Sequence, residues 1–319
     1  MARLLFVFLD GLGLGDGDPA HNPLAAPWPG LRTLTGCDWT APAWRTRSDA
    51  ARVTAALDAR LGLPGLPQSA TGQTTLLTGR NAARAMGRHY GPWPGPTLRA
   101  LLARGSLFHD GAAAGGARLA NAYPAAYLTA LRMPPTAAGG ALQRRARRAR
   151  ASAPIAAAEA AGLTLADVGD LARDRAVAGD LGVGRVRAGT GSAAVAGQAR
   201  ALAALASEHA FTFFDVWGGD LVGHRQDPVA ARAFLSALDA FVPALVAALP
   251  HDVTLLVTSD HGNLDDLRRR GHTLASVPLL ALGPGATAFA GARSLLDVAP
   301  AVRQVLATGA ARASRSRLS

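Results

Sequence analysis

Apolar residues along this chain follow two rhythms. Five short runs are almost continuously apolar and rich in β-branched or aromatic residues: 4–9, 117–120, Phe211–Val216, Val253–Thr258 and Val277–Leu282. Runs this short without a polar face predict strands buried on both sides, as in a parallel sheet. Between them the pattern changes to Ala- and Leu-rich helical stretches, at 96–104, 228–249 and 294–306. Alternation of this kind predicts an α/β domain, its mostly parallel central sheet covered by helices on both faces. Residues 127–200 break the rhythm. They hold an arginine run, helical patterns at 155–161 and 164–175 and a Gly-rich patch at 179–191, but no strand pattern. The expected organisation is a core of residues 1–126 and 201–309, a small, mostly helical cap insertion at 127–200, and a flexible tail at 310–319.

Several classes drop out on composition. The single cysteine, Cys37, excludes a disulfide scaffold and any multi-cysteine metal site. No stretch has the roughly 18 uninterrupted apolar residues of a membrane span. The run at 4–9 is too short for a signal sequence and ends in Asp10, so a cytoplasmic protein is expected. All 33 basic residues are arginine, against 22 acidic ones, for a net charge of +11. A balance of this size fits a polyanion partner. The arginines are dispersed, however, apart from Gln143–Arg150 and the tail, and no aromatic residues interleave the run as nucleic-acid stacking requires. That argues against a nucleic-acid-binding protein and for excess charge that draws in small anionic substrates.

The candidate chemistry stands at the strand ends, where open α/β sheets bind their ligands. The first strand ends in Asp10-Gly11, the third runs on into Asp220-Leu-Val-Gly-His224, and the fourth ends in Asp260-His261-Gly262-Asn263. His272-Thr273 precedes the fifth. One helical turn puts Asp220 and His224 on a common face. Carboxylates mixed with imidazoles suit Zn or Mn better than the all-oxygen shells of Mg or Ca. Three Asp and three His exceed one four-coordinate site and fill two if another oxygen is shared. Two close metal ions suit an in-line displacement at phosphorus. A nucleophile would come from Gln68-Ser69-Ala-Thr71-Gly72-Gln73, a Gly/Pro loop that runs into a helix whose N-terminus favours anions.

These residues resemble the alkaline phosphatase superfamily, and within it the branch of cofactor-independent phosphoglycerate mutase and phosphopentomutase. That branch carries a strand-end Asp-Gly, a Ser/Thr-x-x-Gly-His nucleophile loop, Asp-x-x-Gly-His, Asp-His-Gly-Asn, and His-Thr ahead of a Val-Pro strand. The resemblance covers about residues 1–90 and 210–285. It implies one divalent metal ion held by Asp10, Ser69, Asp260 and His261, a second held by Asp220, His224 and His272, and Ser69 as nucleophile. Thr71 is the rival hydroxyl; the spacing to Gly72 and to Thr78-Gly79-Arg80 favours Ser69. Gln73 stands where the family has His, and the insertion is shorter than the usual mutase cap. The x-Pro-x-Arg context of sulfatase nucleophiles is absent from both Ser69 and Cys37.

The function expected from this is phosphoryl transfer through a phosphoserine, with a phosphomonoesterase as the main reading. A phosphomutase or phosphodiesterase on the same site is the alternative. Arg80, Arg84, Arg88, His89, Asn22 and Asn121 are the candidate substrate contacts, the arginines because their planar forks match phosphate.

Overall fold

The computed structural model describes residues 2–133, 149–182 and 192–316. Its centre is a seven-stranded sheet. In chain order the strands are β1 (Arg3–Leu9), β2 (Arg47–Ser48), β3 (Arg52–Leu57), β4 (Ala117–Leu119), β7 (Phe211–Val216), β8 (Val253–Thr258) and β9 (Val277–Leu282). A separate two-stranded ribbon pairs β5 (Ala122–Tyr123) with β6 (Ala166–Asp167). The spatial order of the large sheet is β2-β3-β9-β8-β1-β7-β4. Strands β8, β1, β7 and β4 run parallel, whereas β9 is antiparallel to both β8 and β3.

Side-chain alternation divides the core into two layers. Leu4, Phe6 and Phe8 of β1 pack on one face with Phe211, Phe213 and residues of the helices Ser69–Thr78, Leu107–Gly115 and Ala153–Ala160. Leu5, Val7 and Leu9 pack on the other with Phe214, Val216 and the helices Ser192–Glu208 and Pro228–Ala248. Every residue of β1 from Leu4 to Leu9 is fully buried, as its unbroken apolar run requires. Pro228–Ala248 is long and apolar enough to cross a membrane, but it lays Phe234, Leu238, Phe241 and Leu245 onto the sheet.

Four expectations change. Val277–Leu282 is antiparallel, not parallel. Strands β2 and β3 carried no clear signal, because Arg52-Val-Thr-Ala-Ala-Leu57 mixes polar and small residues. Residues 164–175 form β6 and the one-turn helix Val168–Leu171 instead of one helix, so this segment does contain a strand. The last helix, Val298–Ser316, runs through the stretch assigned to a tail. Within the expected insertion, the helix Ala153–Ala160 is buried in the same core as the sheet. Most of the arginine run and residues 183–191 of the Gly-rich patch lie outside the described residues.

Strand direction puts the chemistry on one edge. The ends of β1 and β7 are in register, Leu9 beside Val216, and Phe8 of β1 lies beside Thr258 of β8. β3 runs in the same direction, so the loop that follows it emerges at this edge and leads to Ser69. Because β9 is reversed, its beginning lies here, with Val277 beside Leu57, and His272 arrives just before it.

Candidate metal centre

Short backbone ties fix the loops at this edge to one another. The Asp10 N–H donates to Val216 O at 3.0 Å, and Leu264 N–H donates to Gly11 O at 2.9 Å. Leu12 N–H donates to the Ser259 hydroxyl at 3.0 Å. Gly11 has a φ of +76°, and a Cβ there would sit 2.9 Å from the Asp220 Cα. Only glycine tolerates both the left-handed backbone and that approach. At Gly72 an added Cβ would lie 2.8 Å from the Asp260 Cβ, so the helix Ser69–Thr78 starts directly against β8's loop.

Two clusters of possible ligand atoms result. In the first are Asp10, Asp260 and His261; in the second, Asp220, His224 and His272. His261 Nε2 is 3.5 Å from both an Asp10 and an Asp260 carboxylate oxygen, and 2.9 Å from the Ser69 hydroxyl. Asp220 Oδ1 lies 3.4 Å from His224 Nε2 and 3.7 Å from His272 Nε2. The His261 and His272 rings stack with centroids 3.7 Å apart, which joins the two clusters.

The imidazoles are oriented for coordination. Nδ1 of His224 is 2.8 Å from Arg270 O, Nδ1 of His272 is 2.7 Å from Pro67 O, and Nδ1 of His261 is 3.4 Å from Gly262 O. A carbonyl only accepts, so Nδ1 carries the proton and the Nε2 lone pair faces the cluster. Asn263 Nδ2 donates to Asp220 Oδ1 at 2.6 Å, and Gln73 Nε2 to Asp10 Oδ2 at 3.3 Å. Gln73, where the family has His, thus orients one of the carboxylates.

Electrostatics point the same way. Asp10 Oδ1 and both Asp260 oxygens are buried without a hydrogen-bond partner. Burial, and then neighbouring carboxylates, hold the Asp10 and Asp260 carboxyls well above their ordinary range. Burial also keeps the His261 imidazole well below its usual value, and that of His272 below it to a lesser degree. Orphaned carboxylate oxygens beside neutral, pre-oriented imidazoles form a donor set suited to a divalent cation. Asp215, at the end of β7, was not singled out from the sequence. Burial pushes its carboxyl up to about 7, and its Oδ1 has no partner.

The remaining candidates separate clearly. Ser69 opens its helix with its hydroxyl on His261, whereas the Thr71 hydroxyl bonds the backbone of Gln68 and Tyr90. Arg80 lies beyond the far end of that ten-residue helix, about 15 Å along the axis from Ser69. Arg84 is exposed on the next helix, Ala82–Met86. Neither joins the site. Asn22 caps a short 3-10 helix, accepting from Leu24 N–H and donating to Asp16 O. Asn121 clamps β7 by exchanging two bonds with the Asp215 backbone. Both amides bond backbone atoms. Arg88 and His89 line a cleft beside Gln68.

Comparison with known proteins agrees with this geometry. The family model described as Metalloenzyme superfamily matches residues 176–309, the stretch that carries Asp220, His224, Asp260, His261 and His272. A phosphopentomutase of Methylobacterium radiotolerans is 42% identical over 66 residues, 21% of this chain and 16% of its own. One of Methylorubrum extorquens is 35% identical over 133 residues, 40% of this chain and 31% of its own. The chain therefore matches less than a third of the length of these curated relatives. The fold similarity is far broader. The structure of alkaline phosphatase from the Antarctic bacterium TAB5 superposes with a TM-score of 0.57 at 14% identity, covering 96% of this chain and 99% of the other. The C-terminal ligand loops thus resemble the Metalloenzyme superfamily, and the fold over nearly the whole chain is alkaline-phosphatase-like.

Proposed function

We propose that this protein is a two-metal phosphotransferase of the phosphomutase type, which takes a phosphoryl group onto Ser69 and returns it to a hydroxyl of a small phosphorylated acceptor. The observation that carries the reading is the Ser69 hydroxyl, 2.9 Å from His261 Nε2 where the two carboxylate–imidazole clusters meet. The phosphopentomutase relatives favour transfer to an alcohol over transfer to water, and suggest pentose phosphates as first substrates to try.

Asp10, Ser69, Asp260 and His261 would hold one ion, Zn or Mn, and Asp220, His224 and His272 a second. When bound, such ions supply Lewis acidity that favours ionised oxygen and offsets phosphate charge. The chain itself fixes the nucleophile. His261 holds the Ser69 hydroxyl at the clusters' junction, while the first turn of Ser69–Thr78 presents its positive end to the arriving anion. In the first half-reaction the Ser69 hydroxyl gives up its proton as Oγ bonds to phosphorus, the ester P–O bond breaks, and the departing alkoxide takes up a proton. In the second, an acceptor hydroxyl gives up its proton and attacks phosphorus, the Ser69 Oγ–P bond breaks, and Ser69 Oγ takes up a proton.

The test is a single-turnover reaction of metal-loaded protein with a pentose 1-phosphate, quenched in acid and mapped by peptide mass spectrometry. Phosphate on Ser69 that moves onto added pentose phosphate supports the mutase reading. Release as inorganic phosphate alone makes the protein a phosphomonoesterase, and no phosphoserine under any metal sinks both.

A further inference from the structure

The ligand loops converge on a buried carboxylate that belongs to neither metal cluster. Asp265 lies just beyond Asp260 and His261 on the loop after β8, and is 3% exposed. Thr273, the residue after His272, is also buried and donates its hydroxyl to Asp265 Oδ2 at 2.7 Å. Two further bonds fix Thr273. Its N–H donates to Gly262 O at 2.9 Å, and its hydroxyl oxygen accepts from Ala275 N–H at 3.3 Å. The loop after β1 closes in from another side. A Cβ on Gly13 would fall 2.6 Å from Asp265 Oδ1, and one on Gly262 would collide with the same oxygen. The loops that carry Asp10, Asp260 with His261, and His272 thus meet at one side chain.

A carboxylate is costly there. The adjacent Asp266 takes Arg268 at 2.8 Å and Arg269 at 3.2 Å, whereas Asp265 forms no ion pair among the described residues. Its Oδ1 has no hydrogen-bond partner. Burial pushes the carboxyl above its ordinary range, and the bond from Thr273 opposes that shift. A half-satisfied buried acceptor lowers stability, so what its one side-chain bond secures matters. That bond secures the neighbour of His272. The His272 imidazole is then held between two anchors, Pro67 O at 2.7 Å from Nδ1 and the tied-down Thr273, with its ring 3.7 Å from that of His261.

We infer that Asp265 and Thr273 are positioning residues that latch the His272 loop onto the loop of Asp260 and His261, and so set how tightly the second cluster binds its ion. The inference rests on the two-metal reading of the site. Asp220 and His224 share one helix, so His272 is the second-cluster ligand that another loop must deliver. With the latch shut, the imidazole is in place before the ion arrives. With it open, the cost of ordering the loop is subtracted from the affinity.

The experiment titrates the full chain with Zn against a competing chelator. Thr273→Val should weaken one ion at least about tenfold and leave the other within about twofold, and Thr273→Ser, which keeps the hydroxyl, should restore it. Asp265→Ala combined with Thr273→Val should bind that ion no more weakly than the weaker single variant, as two residues acting through one bond must. Thr54→Val, which removes a buried hydroxyl bonded to Arg45 O, should change neither ion. Unchanged affinity in Thr273→Val, equal loss of both ions, or additive losses in the double variant overturn the latch. Amide exchange of the metal-free protein gives a second readout. Residues 271–275 should exchange about tenfold faster in Thr273→Val than in the wild type, while Val253–Thr258 stays protected. A wild type that takes up fewer than two ions counts against the two-metal reading; exchange then decides the latch, and equal rates in the two proteins overturn it.

Discussion

The two ligand clusters are built from the same residue types in different surroundings. Asp260 and His261 are fully buried, in a site assembled from the ends of β1 and β8 and the start of the helix Ser69–Thr78. The second cluster sits on one turn of the helix Gly218–Arg225 plus a loop residue, and the His224 side chain is 44% exposed. Solvent can serve the second cluster's polar atoms when no cation does. In the first, the repulsion between Asp10 and Asp260 is relieved by a bound cation or by retained protons. The buried cluster should therefore hold its ion more tightly and carry the chemistry, and the exposed one should exchange.

The comparison breaks most visibly at Ser69. Ser69→Ala should cut phosphoryl transfer at least about a thousandfold while both ions stay bound, as read by steady-state kinetics and elemental analysis of the same sample. Loss of both ions with the activity would mean that the hydroxyl is structural glue and not a nucleophile.

Next in size is the contrast between the histidines. His224→Ala should weaken one ion by roughly a hundredfold or more and leave the other in place, whereas His261→Ala should empty the buried cluster. Metal titration with a competing chelator follows both. Identical titrations for the two variants would show that the clusters act as one site.

A smaller effect concerns pH. Asp10, Asp260 and Asp215 have carboxyls raised by burial, so the folded chain keeps protons that the unfolded chain loses near pH 4. Their contribution to stability falls as pH climbs from about 4 towards 7 and beyond. His261 and His272, with lowered values, work oppositely, but only below the ordinary histidine value near 6.5. Metal-free protein should thus lose Tm between about pH 6.5 and 8, Asp215→Asn should flatten that slope, and saturating Zn or Mn should reduce it. A Tm that rises over this interval without metal would contradict the buried-carboxylate account.

The smallest effect is expected at the rival hydroxyl. Thr71→Val should lower stability by about 1 kcal/mol, through its bonds to the Gln68 and Tyr90 backbone, and leave kcat within about twofold. A larger fall in kcat than Ser69→Ala produces would reverse the assignment.

Sequence alone identified the strands with unbroken apolar runs. Phe211–Val216, Val253–Thr258 and Val277–Leu282 match their observed bounds because both faces of each are buried, so apolar residues dominate and polar ones are few. It also brought out every residue of the two clusters, since a carboxylate or imidazole at a buried strand end contrasts with its apolar neighbours. Direction was another matter. An apolar strand reads the same whichever way it runs, and only pairing with β8 and β3 shows β9 to be reversed. That reversal is what brings His272 to the edge where β1, β7 and β8 end; a parallel β9 would have carried it to the opposite side. Asn22 and Asn121 make a related point: a buried amide is marked by its type, but its partners, here backbone atoms up to 94 residues away, exist only after folding. Asp215 stands inside a strand, five residues before the Asp220–His224 pair, and its burial arises from packing between distant segments. Local pattern determined which residues are buried and which carry charge; the tertiary structure decided which of them meet, because contacts between distant segments depend on strand order and direction, and neither is written in any single window of the chain.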